Sequence, residues 1–233
     1  MGSYFYNVLK PKRLLDLAFF LRRYTKIPLF VLFFLGCFGG LYVVPSDYQQ
    51  GDLARILYVH VPASWGALSL YSCIALFSAV GLITRMPQCF LIAKSIAPIG
   101  LVYCLISLIT GSIWGKPTWG AFWVWDARLT SMFILLLLYV GYSHLSQTHV
   151  LKRLVPASFL AVIGFVNIPI IKGSVEWWYT LHQPATIRVF SQTSAIHSSM
   201  AWPLWVMTLA FALYAIYLGT YRFEQLMKES ASL

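Results

Sequence analysis

Three histidines, His60, His182 and His197, stand in stretches of the chain that also hold tryptophan and cations. Imidazole is a common ligand of metals, haem iron included. Between the first two lies Trp114-Gly115-Lys116-Pro117-Thr118-Trp119-Gly120-Ala121-Phe122-Trp123-Val124-Trp125-Asp126-Ala127-Arg128. Wide aromatic faces with few rotamers to freeze suit a large flat ligand. A porphyrin needs an apolar bed, axial donors to iron and positive groups for its propionates. The tryptophan-rich stretch offers the bed, with Trp177 and Trp178 as a further aromatic wall. Arg55, Lys116, Arg128, Lys172 and Arg188 are the available cations, unless they pair with Asp47, Asp52, Asp126 or Glu176. Read as a short helix lying on a membrane, Thr118–Asp126 puts Trp119, Phe122, Trp123 and Asp126 on one face. A plain interfacial anchor accounts for the same stretch, and the residues alone leave both readings open.

The elements that must hold these side chains are membrane spans. Of 233 residues, 59% are hydrophobic and 10% charged, where soluble domains run near a quarter charged. That composition excludes a cytosolic enzyme and a disordered tail. It also excludes a nucleic-acid-binding domain, despite a net charge of +10. Six stretches are apolar over the length a bilayer demands: residues 27–44, 63–84, 91–113, 127–146, 154–171 and 200–221. The expectation is an all-α polytopic protein in which 1–233 forms a single six-helix membrane domain, because lone apolar strands leave their backbone unsatisfied in lipid. The first stretch reads as a true span and not a cleaved signal, since no small-residue cleavage site follows it.

Orientation follows from Lys and Arg. With both termini in the cytoplasm, the inside segments carry Lys10, Lys12, Arg13, Arg22, Arg23, Lys26, Arg85, Lys94, Lys152, Arg153, Arg222 and Lys228, against Arg55, Lys116, Arg128, Lys172 and Arg188 outside. In that topology all nine Trp fall on the outer side, although ordinary aromatic belts mark both surfaces. His60, His182 and His197 lie in outside loops, whereas His144 and His149 flank the inner end of the fourth span. No His lies deep in a span. That favours a carrier that presents a ligand at the surface over a cytochrome that buries its haem.

Other chemistry is excluded. Cys37, Cys73 and Cys104 fall in spans and Cys89 in an inside loop, with neither C-x-x-C nor C-x-x-C-H spacing among them. Gly111…Gly115-Lys116 misses the phosphate-loop spacing and has Pro117 where Ser or Thr belongs, so the chain is not expected to hydrolyse nucleotide or to be an enzyme.

Several of these stretches resemble one family. Trp119-Gly120-x-x-Trp123-Val124-Trp125-Asp126 looks like the tryptophan-rich signature of haem-handling membrane proteins. Together with Trp114-Gly115-Lys116-Pro117, Asp126-Ala127-Arg128-Leu129-Thr130-Ser131, Ala54-Arg55-Ile56-Leu57-Tyr58-Val59-His60-Val61-Pro62 and Ser174-Val175-Glu176-Trp177-Trp178-x-Thr180-Leu181-His182-Gln183, it is similar over nearly the whole chain to the haem exporter protein C (CcmC) family of bacterial cytochrome c maturation. The resemblance implies a six-span protein of the bacterial inner membrane. Such a protein binds haem b transiently at its periplasmic face and passes it to the haem chaperone CcmE. It is also similar to a subunit of an ABC-type complex with CcmA, CcmB and the small CcmD. His60 and His182 match the family's axial ligands, and Trp114, Trp119, Phe122, Trp123, Trp125 and Asp126 its haem platform. His197 matches no family ligand. Phe122 stands where the family often has Trp, which keeps the ring and drops the indole donor.

Overall fold

The computed structural model describes residues 9–147, 154–182 and 196–231. Arg188, His149, Lys152 and Arg153 lie outside the described residues. The order is α1 (Pro11–Phe38) running into a π-helical turn (Gly39–Val43), then a 3-10 turn (Asp52–Ile56) running into α2 (Leu57–Thr84). It continues with α3 (Pro87–Trp119), α4 (Ala127–Leu145), α5 (Val155–Gly164), α6 (Asn167–Trp177) and α7 (Ser198–Ala231). Six segments are long and apolar enough to cross a membrane, with α5 and α6 forming one of them. The fold is an all-α, multi-pass membrane protein; among the described residues the sole β-type pairing is an isolated bridge between Asp47 and Gly51.

The helices outrun the spans read from hydropathy. Four segments of 33 residues are each about 50 Å long at 1.5 Å per residue, against a hydrocarbon core of roughly 30 Å. The overhangs account for most corrections to the sequence reading. α1 begins at Pro11 instead of residue 27, so Arg22 and Arg23 are helical, and Arg22 meets Glu224 of the α7 overhang at 2.7 Å. α2 begins at Leu57 and carries Pro62 inside it, so His60 belongs to the first turn of a helix and not to a loop. α3 starts at Pro87, placing Cys89 inside a helix, fully buried, instead of in a loop. Lys116-Pro117 does not break α3: Thr118 Oγ1 donates to Trp114 O at 2.7 Å and the helix closes only at Gly120, in the left-handed region at φ 79°, a conformation that costs glycine no Cβ strain.

Pro28, Pro62, Pro98, Pro117 and Pro203 all sit inside helices, as neighbouring helices permit in membrane proteins. Only the fifth span is interrupted, at Phe165-Val166 between α5 and α6. Pro169 follows in the first turn of α6, where its missing N–H leaves no intrahelical bond unmade. Asn167 there donates from Nδ2 to Ser131 O of α4 at 2.9 Å.

The core lies between α2, α3, α4 and α5, where Ala67, Ala93, Ala97, Ala157 and Ala161 are buried. Small residues let helix backbones approach closely when lipid supplies no hydrophobic drive. Large tyrosines fill the rest. Tyr139 donates to Ala67 O at 2.7 Å and packs edge-on to Tyr71 at 5.2 Å; Tyr103 donates to Phe211 O at 2.6 Å, tying α3 to α7. Interhelical bonds of this kind are worth about 0.6 kcal/mol on average, so they fix rotation of the helices more than they add stability.

Candidate functional site

Alternating helix directions bring the start of α2, the end of α3, the start of α4, the end of α6 and the start of α7 to one end of the bundle. Side-chain contacts verify the juxtaposition. Tyr58 of α2 donates to Met200 O of α7 at 3.1 Å, Trp65 and Trp205 pack at 5.7 Å, and Arg128 of α4 reaches Ser174 Oγ of α6 at 3.3 Å. All nine Trp belong to these helix ends or the segments joining them.

His60 leans from α2 onto α3. Its Nδ1 lies 3.0 Å from Thr110 Oγ1, and Trp114, one turn further along α3, meets the imidazole edge-on at 5.8 Å and 88°. Gly111 leaves the space: a Cβ there would stand 3.0 Å from His60 Cε1. Trp114 is held in turn by its Nε1, which donates to Gln50 Oε1 at 2.8 Å.

His182 follows α6 and turns back onto α4. Its Nδ1 is 2.9 Å from Asp126 Oδ2, with the two side chains 19% and 8% exposed. Trp119 of α3 covers it at 4.7 Å. Burial pushes the imidazole pKa below its ordinary 6.5, and the Asp126 hydrogen bond offsets only part of that. The ring is therefore neutral at pH 7, with the carboxylate accepting from Nδ1–H. Both histidines thus have Nδ1 engaged, and neither Nε2 has a partner among the described residues.

The other aromatics do not form the single helical face expected of Thr118–Asp126. Trp119 ends α3, residues 121–126 are non-helical, and Asp126 caps α4 by accepting from Leu129 N at 2.7 Å. The stretch folds as helix end, turn and cap because Gly120 and Asp126 each favour a terminus over a helix interior. The rings divide accordingly. Trp114 and Trp119 stand against the histidines. Trp123 and Trp125 pack edge-on to each other at 5.4 Å and against Phe133 of α4. Phe122 sits apart beneath the Lys116 ammonium, 5.4 Å from its ring centre. Trp177 is the last residue of α6, lying back over Gly173, and packs against Trp178; both are more than half exposed.

The cations are also sorted. Arg55 pairs with Asp52 at 2.9 Å and donates to Gly40 O and Val44 O, which fastens the end of the first span. Lys116 Nζ donates to Gly120 O at 3.0 Å. Arg128 is held by Ser174 Oγ and by Ile171 O at 3.4 Å, makes no salt bridge within 4 Å among the described residues, and lies close enough to the Asp126 carboxylate to interact with its charge. His197 is exposed and bonded to Ser199 at 2.8 Å, and His144 is exposed in the last turn of α4, at the far end.

No group of three or more His, Cys, Asp or Glu that would hold a bare metal ion occurs among the described residues. Two imidazoles suit an iron already held by porphyrin nitrogens. Two buried polar atoms next to these residues in sequence, Trp123 Nε1 and Thr180 Oγ1, have no hydrogen-bond partner among the described residues. Leaving such an atom unsatisfied costs about 1–3 kcal/mol, and a ligand carrying acceptor oxygens would relieve it. Thr110 and Gln50 carry no motif that marks them in the sequence, and Gly111, which stands in a failed phosphate-loop pattern, instead makes room for His60. The one available signal was that Thr110 and Trp114 are four residues apart on one helix face.

Fold and site together define a class: a polytopic helical membrane protein that gathers imidazole and indole at one end of its bundle. The family profile described as "Heme exporter protein C" matches residues 4–232, and the chain belongs to that family. It is 42% identical over 196 residues to the heme exporter protein C of Escherichia coli K12, covering 83% of this chain and 80% of the relative. It is 40% identical over 201 residues to that of Bradyrhizobium diazoefficiens, covering 83% and 76%. A putative cytochrome c biosynthesis ccmC-like mitochondrial protein of Marchantia polymorpha is 44% identical over 192 residues, covering 81% and 82%.

Proposed function

We propose that the chain binds haem b at the periplasmic end of its six-helix membrane domain and presents it to the chaperone CcmE during cytochrome c maturation. It does so without a catalytic group of its own, within an ABC-type complex with CcmA, CcmB and CcmD. The bundle lies in the bacterial inner membrane with both termini cytoplasmic, as the cation bias favours. The observation that carries this reading is the matched pair of histidines, each with Nδ1 engaged, no Nε2 partner among the described residues and a tryptophan of α3 against its ring. His60 and His182 supply the two axial nitrogens. Trp119 and Trp123 line the macrocycle, with Trp114 bracing His60. Trp125, Phe122, Trp177 and Trp178 widen the apolar rim. Arg128 supplies positive charge for a propionate, and Trp123 Nε1 and Thr180 Oγ1 supply donors.

Haem spectra of the detergent-purified chain test the proposal. The wild type is expected to show a low-spin bis-imidazole spectrum. His60→Gly and His182→Gly should each move it towards high spin, and free imidazole should partly restore it, because the missing group is only a nitrogen donor. His144→Ala is the control. A wild type that retains no haem leaves a docking subunit, and haem that cycles between redox states without transfer to CcmE indicates an oxidoreductase. Either result overturns the presenting role.

A further inference from the structure

Behind His60 stand the Thr110 hydroxyl, 3.0 Å from Nδ1, and the nearby Ser107 carbonyl, both neutral acceptors that favour the hydrogen on Nδ1. Thr110 Oγ1 donates its single proton to Ile106 O one turn back on α3, at 2.6 Å, with Ser107 O also within reach at 3.3 Å. A threonine hydroxyl has one proton to give and two lone pairs to accept with. With the proton committed to the helix carbonyl, the 3.0 Å contact with His60 Nδ1 is satisfied only if Nδ1 carries the hydrogen and donates. Nε2 then carries the lone pair. In the opposite tautomer Nδ1 and Oγ1 would face each other as two acceptors, and Nε2–H would point its proton at the ligand.

The seat around this contact is built for it. Ser64 Oγ donates to His60 O at 2.8 Å and lies 2.6 Å from Ser107 Oγ across the α2–α3 interface, so a short polar strip runs beneath the imidazole in an otherwise apolar contact. Trp114 closes one side of the ring and Gly111 leaves room for it. Behind His182, by contrast, stands the Asp126 carboxylate. A charged acceptor gives an imidazole more anionic character and a stronger metal bond than a neutral hydroxyl does.

We propose that Thr110 is a positioning residue that holds His60 in the tautomer with Nε2 free to ligate iron, and that the hydroxyl–carboxylate difference makes His60 the weaker axial ligand, the one that opens when the cargo leaves. The inference rests on the haem-presenting reading above. It gives the two histidines unequal roles: His182 retains the ligand and His60 releases it.

The test uses the full chain in detergent, with haem as probe and with retention on dilution, spin state and reduction potential as readouts. Thr110→Val keeps the shape and removes the acceptor; it should lose about tenfold in haem retention and show a high-spin fraction. Thr110→Ser should match the wild type, and Thr110→Ala should resemble the valine variant, so the Ser/Ala pair carries the test if valine impairs insertion. Thr220→Val, which removes a similar hydroxyl-to-carbonyl bond near the far end of α7, should change nothing. In a His60→Gly background Thr110→Val should add no further loss, because Thr110 acts through His60; additive losses would mark a merely structural role and overturn the proposal. His60→Gly should retain more haem than His182→Gly, and the reverse order overturns the assignment of unequal roles. If His60→Gly leaves the wild-type spectrum unchanged, the haem site itself is misplaced, a result distinct from any behaviour of Thr110.

Discussion

Asp126 and His182, 56 residues apart in sequence, meet at 2.9 Å through Oδ2 and Nδ1, while the other oxygen of the same carboxylate accepts from Leu129 N at 2.7 Å. One side chain therefore starts α4 and orients a candidate metal ligand. Its two tasks are separable by substitution. Asp126→Ala should cost about 1 kcal/mol from the lost cap and leave His182 without its acceptor. Asp126→Asn keeps one oxygen for the cap but places an NH2 donor where Oδ2 accepted from Nδ1–H, so it should melt near the wild-type temperature while removing the anionic acceptor behind His182 and shifting the haem reduction potential upward. Equal melting and an equal potential in both variants would sink this division.

The pKa of His182 carries a sign. Burial lowers it from 6.5 and Asp126 raises it back only in part. A base with a depressed folded pKa binds fewer protons than in the unfolded chain over that interval, so its contribution to stability is fully present above 6.5 and is lost as pH falls through the folded value. NMR titration of isotope-labelled histidine in haem-free protein should find His182 titrating below 6.5, and lower still in Asp126→Asn. A midpoint above 6.5 would contradict burial as the ruling cause.

Trp119 and Trp123 should weaken haem retention when both become Ala. Losing stacking on a flat ligand costs on the order of 1–3 kcal/mol per ring by analogy with base stacking. Trp119 should also disturb His182, since it packs on that ring at 4.7 Å, so Trp119→Ala is expected to alter spin state and Trp123→Ala only retention. Phe at either position should be mild. Equal retention in the double Ala variant would reduce the stretch to an interfacial anchor.

Sidedness is checked by single cysteines in a cysteine-free background. Thr118 and Gln147 are both exposed. An impermeant reagent added from the periplasm should modify Thr118→Cys and miss Gln147→Cys. The opposite pattern would invert the topology proposed from the cation bias.

The six spans, their all-helical class and the gathering of tryptophan at one end were legible in the sequence, because apolar length and alternating direction suffice to place them. Helix ends were not. Hydropathy reports where the bilayer is, and a helix continues past it as long as its backbone stays bonded. That is why His60 belongs to a helix and not to a loop, why Trp119 ends α3 instead of lying on a separate surface helix, and why the second and third helices run past residues 63 and 113 to take in Pro62 and Lys116-Pro117.

The sequence by itself determined the inventory: two histidines flanking an indole-rich stretch, with cations nearby. Tertiary structure decided which members of that inventory meet. Thr110 supports His60 and Asp126 supports His182 because α2 packs on α3 and the chain after α6 turns back to the start of α4. Those contacts span 50 and 56 residues of chain, and no local pattern encodes them. Arg55 and Lys116 were left in structural bonds to backbone carbonyls, and Arg128 bonded to Ser174 with no salt bridge within 4 Å among the described residues, for the same reason. A cation's partner depends on which helix end lies beside it, and that is fixed only when the bundle closes.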